Sequence, residues 1–119
     1  MFNSKDRIGL ILESINIIEE RMLKIKTDED FISSKDGLTI LDAITMRLQT
    51  IGENFSKINK QDPSLIEDTL KIDINPIIGF RNIISHHYEL LDYQIIFKIC
   101  TEQLSSLKQV ISGYLSQNK

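Results

Sequence analysis

The residues best suited to chemistry lie in one stretch, which reads PIIGFRNIISHHY from residue 76 to residue 88. Asn75 can cap a helix that holds Pro76 in its first turn, because proline lacks the N–H that would be unpaired there. At 3.6 residues per turn, polar side chains gather on one arc of this helix. The pattern predicts a polar face made of Arg81, Asn82, Ser85, His86 and Tyr88.

The two adjacent histidines point in different directions on such a helix. His87 falls within the apolar arc, which favours a packed core histidine, whereas His86 faces the polar side four residues from Asn82. Arg81 and His86 are separated by roughly 140° around an ideal helix. They converge only if the guanidinium leans across or the last turn distorts, so one helix alone makes a poor active site. The simplest interpretation of the polar arc is a solvated face.

An arginine, a histidine and a polar neighbour suit metal-free cleavage of a phosphodiester in RNA. The ribose 2′-hydroxyl can attack its own phosphorus if one group takes its proton and another protonates the leaving oxygen, while a fixed cation stabilises the added negative charge. His86 can transfer protons near neutral pH, and Arg81 carries a permanent charge on a fork that matches phosphate. One chain offers one such imidazole. We therefore predict a two-fold homodimer with both pairs in a shared cleft.

Other chemistries have weaker support. His86 and His87 diverge by about 100° on a helix and cannot bind one ion together. No His-Glu-x-x-His pair is present, so we expect neither a metal site nor another cofactor. Cys100 is the only cysteine and lies in an apolar stripe, which favours simple burial over nucleophilic catalysis.

Composition limits the class of protein. The 119 residues are 41% hydrophobic and 26% charged, as expected for one globular domain spanning residues 1–119. The net charge of −3 excludes a generally basic surface, so any binding of nucleic acid requires a local cluster of cations. No run of 18 apolar residues is present, and the first residues do not resemble a signal peptide. These features predict a cytoplasmic protein with no membrane partner.

Hydrophobic spacing predicts the helices before the motif. Ser4 can cap a first helix with apolar residues at three- and four-residue steps from Ile8 to Ile25 and with Arg7 on its polar face. Residues 27–30 resemble a capping box for a short helical piece, and residues 33–37 a turn. A second helix of about 20 residues follows. Its apolar stripe consists of Leu38, Leu41, Ile44, Leu48, Ile51, Phe55 and Ile58.

Shorter elements lead into and out of the motif. Asp62 and Pro63 are typical of a helix start and predict a short helix over residues 64–70, followed by a connection through Ile74. Residues 89–91 then form a corner, and Asp92 can cap a final helix. Its predicted buried stripe is Ile96, Cys100, Leu104, Leu107, Ile111 and Tyr114. Four main helices with one or two short ones predict an all-α, up-and-down helical bundle.

The sequence RNIISHHY at residues 81–88 resembles the R-x4-H-x-Y motif of HepT-like toxins, within the HEPN superfamily of helical nucleotide-binding domains. The flanking sequences IGE at residues 51–53 and IIGF at residues 77–80, together with residues 91–107, are similar to that family's layout. The resemblance therefore covers nearly the whole chain. One departure is Ile74, at a position where relatives often have tryptophan.

The resemblance implies an all-helical homodimer that acts as a metal-independent ribonuclease toxin. Arg81 and His86 would be catalytic, with Asn82 and Ser85 in support. The implied partner is a minimal nucleotidyltransferase antitoxin of the MntA type, which neutralises such toxins by transferring AMP to the motif tyrosine, here Tyr88. An adenylyl phosphate on that phenol can pair with Arg81 and fill the cleft.

Two other hypotheses remain open from the sequence. The protein can be a non-catalytic module that presents a nucleotide, a substrate or Tyr88 to a nucleotidyltransferase. In that case Tyr88→Phe abolishes modification while RNA stays intact. It can also be a structural helical adaptor, for which substitution of Arg81 and His86 changes neither toxicity nor partner binding. Arg47 and Glu53 on the second helix either support the site or pair across a solvated face, and we favour the pairing.

Overall fold

The first helix of the fold begins one residue earlier than its sequence signal indicated. The computed structural model describes residues 2–77, 79 and 93–118. Helix α1 spans Ser4–Arg21, and its cap is Asn3 rather than Ser4. The Asn3 side chain accepts the Asp6 N–H at 2.8 Å, and the Asp6 carboxylate accepts the Asn3 N–H at 3.2 Å. This reciprocal pair of hydrogen bonds satisfies two N–H groups at the start of the helix, which explains why Asn3 rather than Ser4 is the cap.

Two short 3₁₀ turns, Met22–Lys24 and Asp28–Phe31, connect the first two long helices. The predicted capping box forms, because Asp30 accepts the N–H groups of Lys26 and Thr27 at 2.7 and 3.0 Å. The same turn buries Phe31 completely. Its ring meets that of Phe97 edge to face, with 6.4 Å between centroids. The short turn therefore anchors part of the core.

Helix α2 spans Lys35–Gln61 and is longer than predicted. Ser34 caps it by accepting the Gly37 N–H at 2.9 Å, so the predicted turn at residues 33–37 is wrong for its last three residues. Gly37 lies against the carbonyl oxygens of Asp30 and Phe31, and a Cβ at this position would overlap the first of them. The glycine permits close packing of α2 on the preceding 3₁₀ turn.

The apolar stripe of α2 faces the core from Leu41 to Ile58, but Leu38 is exposed. Leu38 lies about 60° beyond Leu41 around the helix, past the edge of the stripe. The helix runs antiparallel to α1, since Arg7 near the start of α1 bonds to Asn54 near the end of α2.

Helix α3 is a single π-helical turn at Leu65–Leu70, which confirms the predicted short helix. Lys71 ends it in the left-handed region, with φ 55°, and residues 71–74 form the predicted connection. Residues 75–77 and 79 are helical, as expected for the start of the motif helix. The cap differs from the prediction, because Asp73 accepts the Asn75 N–H at 3.0 Å.

Helix α4 comprises three consecutive segments: Tyr93–Lys98, a π-helical turn at Ile99–Gln103, and Leu104–Gln117. The π turn inserts an extra residue into the helical period, so Ile99 is buried and the neighbouring Cys100 only partly so. All six residues of the predicted stripe are fully or partly buried, which confirms it. The predicted corner at residues 89–91 and the cap at Asp92 lie outside the described residues.

The core lies where α1, α2 and α4 meet, and α1 packs against both of the others. Lys108 of α4 and Glu19 of α1 form an ion pair at 2.6 Å, but both side chains are more than a third exposed, so the pair adds little stability.

The described part of the chain contains helices and no strands. The predicted all-α bundle is thus confirmed. None of its described helices has the length and apolar character to cross a membrane.

Candidate functional site

The residues predicted to carry the chemistry lie outside the described residues. These are Arg81, Asn82, Ser85, His86 and Tyr88. Their assignments stay predictions. The structure does describe the scaffold that leads into this segment at residue 79 and out of it at residue 93.

The approach to the motif is anchored in the core. Ile74, the last residue of the connection, is buried in the core. The Asp73 carboxylate accepts the Asn75 N–H and sets the start of the next helix. Pro76 follows in the first turn, as predicted, and Ile77 packs partly against the core. Burial of Ile74 thus ties the chain to the core directly before the helical residues 75–77.

An apolar groove of about 250 Å³ opens beside this helix start. One wall comes from α2, the second from residues 72–77 and the third from α4. Its described apolar lining includes Leu48, Ile51, Ile77, Ile99, Leu107 and Val110. The groove therefore lies between residues 72–77, which lead into the motif, and α4, which follows the motif.

The π turn of α4 forms part of the groove wall. Ile99 and Gln103, the first and last residues of the turn, both line it. Turns of this kind occur often at functional sites, because the extra residue redirects side chains that a regular helix would space evenly. Here the turn directs Ile99 into the core, while Gln103 remains exposed.

Cys100, in the same turn, packs partly against the core. Burial raises the pKa of its thiol from the ordinary 9.0 to about 12. Because the thiolate is the reactive form, this raised pKa favours packing over nucleophilic catalysis. The prediction that Cys100 serves packing is confirmed.

Several acidic groups accept backbone hydrogen bonds near helix starts: Asp6, Asp30 and Asp73. Hydrogen bonds from the backbone N–H groups of Lys26 and Thr27 hold the pKa of Asp30 below its ordinary value. Over residues 2–77, 79 and 93–118, no three side chains of histidine, cysteine, aspartate or glutamate come together as a metal site would require.

The predicted ion pair between Arg47 and Glu53 is not formed, since the ion pair found among the described residues joins Lys108 and Glu19. Residues six apart are separated by about 120° around a helix, too far for the two side chains to meet easily. Arg47 is partly buried and Glu53 is exposed.

Arg7 was assigned to the polar face of the first helix, but it is partly buried against α2. Its Nη1 donates to Oδ1 of Asn54 at 3.1 Å, and Nδ2 of Asn54 donates to the Thr50 carbonyl at 3.0 Å. Among the described residues, buried Nε of Arg7 has no hydrogen-bond partner. The available sequence signal was Asn54, a polar residue next to Phe55 in the apolar stripe of α2.

The fold and the anchored helix start define an all-helical bundle that carries a motif segment between its last two helices. A family model described as ribonuclease HepT-like matches residues 11–113, which include the whole R-x4-H-x-Y stretch. The chain therefore belongs to the HepT-like ribonuclease family, as the resemblance predicted. No curated protein and no solved structure matches the chain.

Proposed function

We propose that this protein is the toxin of a toxin–antitoxin system and cleaves RNA in the cytoplasm without a metal ion. The observation that carries the proposal is the family match, which spans residues 11–113 and with them every predicted site residue. The anchored start of the motif helix at residues 74–77 adds support, because catalytic side chains need a scaffold that fixes their position.

In the proposed reaction, one His86 accepts the proton of a ribose 2′-hydroxyl as its oxygen bonds to the adjacent phosphorus. The bond from phosphorus to the 5′-oxygen breaks, and a second His86 protonates that oxygen. The products are a 2′,3′-cyclic phosphate and a 5′-hydroxyl. Arg81 stabilises the charge that builds on the phosphate oxygens. Asn82 and Ser85 support these groups by hydrogen bonding.

Removal of metal ions tests the proposal directly. Purified protein should cleave RNA at an unchanged rate in excess chelator, because the proposed acid, base and cation are all side chains. Gel analysis of a labelled RNA measures the rate of cleavage. Resistance of the product ends to phosphatase identifies the cyclic phosphate, because phosphatase removes only a terminal monophosphate. Absence of cleavage, or cleavage restored only by added divalent ions, would contradict the proposal.

The active form is proposed to be a homodimer, since each chain supplies one His86. The apolar groove supports this proposal, because Pro76 and Ile77 form part of its wall and the motif continues from them. A second copy that packs over the groove on a two-fold axis brings both motif segments towards that axis. Val110 contributes to the α4 wall of the groove and is 39% exposed, so it is available for contact.

Val110→Asp should weaken this dimer by about tenfold or more, because a carboxylate loses hydration when an apolar surface covers it. Met46→Asp is the matched control: Met46 is 68% exposed on α2 and is not among the described groove residues. Sedimentation equilibrium measures the dissociation constant of each variant. Equal dissociation constants for wild type and Val110→Asp would exclude the groove as the interface.

Regulation is proposed to act on Tyr88. The antitoxin, a minimal nucleotidyltransferase, joins the phenol oxygen of Tyr88 to the α-phosphorus of ATP, pyrophosphate leaves, and the phenol loses its proton. The added phosphate pairs with Arg81 and blocks the cleft. Mass spectrometry after incubation with the antitoxin and ATP should show one AMP on wild type. AMP on Tyr88→Phe would place the acceptor elsewhere.

A further inference from the structure

The π turn at Ile99–Gln103 divides α4 into two segments that pack against different elements. The first segment, Tyr93–Lys98, contacts the second 3₁₀ turn, whereas the last segment, Leu104–Gln117, contacts α1. Within the turn, the Leu104 N–H donates to the Ile99 carbonyl, five residues earlier instead of four. The extra residue rotates the first segment by about 100° relative to the last, compared with a regular helix. We call this relative rotation the register of α4.

Neighbouring apolar residues in α4 permit a second register. In the structure Ile99, five residues before Leu104, is 3% exposed, while the adjacent Cys100 is only partly buried. A regular helix would instead place Cys100, four residues before Leu104, on the core face and turn Ile99 off it by about 100°. Phe97, seven residues before Leu104, would join Cys100 on that face. The apolar pattern therefore supports either register.

Few contacts favour the register seen in the structure. The Phe97 ring meets that of Phe31 edge to face, with 6.4 Å between centroids. Ile99 also buries a larger apolar side chain than Cys100 would. The Thr101 hydroxyl donates to the Phe97 carbonyl at 2.9 Å, but this bond joins residues four apart and fits a regular helix equally well. The choice of register thus depends mainly on two side chains.

We propose that α4 exchanges between two registers, the π register of the structure and an α-helical register in which Cys100 replaces Ile99 on the core face. Shifts of helix register of this kind occur in microseconds to milliseconds. Ile99 and Gln103 both line the apolar groove, so the exchange alters the surface that the groove offers to a second copy of the chain. The exchange itself does not depend on the proposed action on RNA.

Polar substitutions separate the two registers, because an amide is costly only where it is buried. Ile99→Asn places an amide in the core in the π register, but the α-helical register turns it off the core face. We expect Ile99→Asn to lower the melting temperature by about 5 °C or less. Leu104→Asn is the matched control, since Leu104 faces the core in both registers, and it should lower the melting temperature by about 10 °C or more. Circular dichroism measures both.

Cys100 reports the register directly, because it is the only cysteine in the chain. At fixed pH, its thiol should react with a disulfide reagent about threefold or more slowly in Ile99→Asn than in wild type, since the α-helical register buries the thiol. A variant that was merely destabilised would open more often, and its thiol would react faster.

Deletion of Thr101 removes the second register. Ile99 then lies four residues before Leu104 in a regular helix, so the deletion should change the melting temperature by about 5 °C or less. Ile99→Asn added to the deletion has no alternative register, and it should lower the melting temperature by about 10 °C or more.

Three results would overturn the exchange of registers. The first is a loss from Ile99→Asn as large as that from Leu104→Asn, or failure of Ile99→Asn to fold, together with a thiol that is no better protected. The second is an equal effect of Ile99→Asn in wild type and in the deletion variant. The third is a deletion variant that does not fold, which would show that the extra residue is needed for the fold.

Discussion

Replacing His86 with alanine should lower the rate of RNA cleavage by about 10² to 10⁴, the range that general acid–base catalysis contributes. In the proposed dimer the substitution removes both the base that activates the 2′-hydroxyl and the acid that protonates the leaving oxygen. The pH dependence of wild-type cleavage should be bell-shaped, because one imidazole must be neutral and the other protonated. Single-turnover cleavage of a labelled RNA measures both effects.

His87→Ala provides the matched control, since it removes the same side chain from the adjacent residue. His87 is predicted to pack in the apolar arc, so its loss should lower the melting temperature more than the cleavage rate of the folded protein. Arg81→Lys adds a second comparison, because lysine keeps the charge but not the planar fork. Equal cleavage by wild type and His86→Ala would remove His86 from the mechanism.

Replacing Phe31 with alanine should lower the free energy of unfolding by about 3–5 kcal/mol, the usual cost of removing a buried phenyl ring. Phe31 is 0% exposed and packs edge to face on Phe97 of α4. Domains of this size are commonly stable by about 5–15 kcal/mol, so the variant loses a large share of its stability. Urea denaturation followed by circular dichroism measures the change as a lower midpoint at similar slope.

Ile32→Ala is the control for Phe31→Ala. Ile32 directly follows the turn and is 45% exposed, so its truncation should cost less than about 1 kcal/mol. Comparison of the two variants distinguishes the loss of a buried side chain from a general weakening of the turn. Similar effects from both substitutions would mean that the turn, rather than the contact with Phe97, determines stability.

The periodicity of apolar residues was sufficient to predict the helical class. The stripes from Ile8 to Ile25 and from Leu41 to Ile58 face the core as expected, because only one face of a helix in a bundle can be buried. The capping box at Thr27 and the short helix at residues 65–70 were also predicted. Each of these signals is local, since it depends on residues within one or two turns.

Contacts between distant residues could not be predicted in this way. Gly37 suggested a turn, yet its role is to let α2 approach the Asp30 carbonyl. Arg7 suggested a solvated residue, yet it donates to Asn54, 47 positions away. Asn and Ser cap helices about equally well, so the sequence did not distinguish Asn3 from Ser4. The two hydrogen bonds that Asn3 exchanges with Asp6 decide for Asn3.

The sequence alone determined the helical class, the family and the candidate chemistry of Arg81, His86 and Tyr88, because periodicity and motif spacing are properties of the chain itself. Only the tertiary structure decided that an apolar groove adjoins Pro76 and Ile77 and that Nε of Arg7 is buried without a partner among the residues described. A groove or an unsatisfied donor arises when separate helices pack, and its position depends on contacts that no single helix encodes.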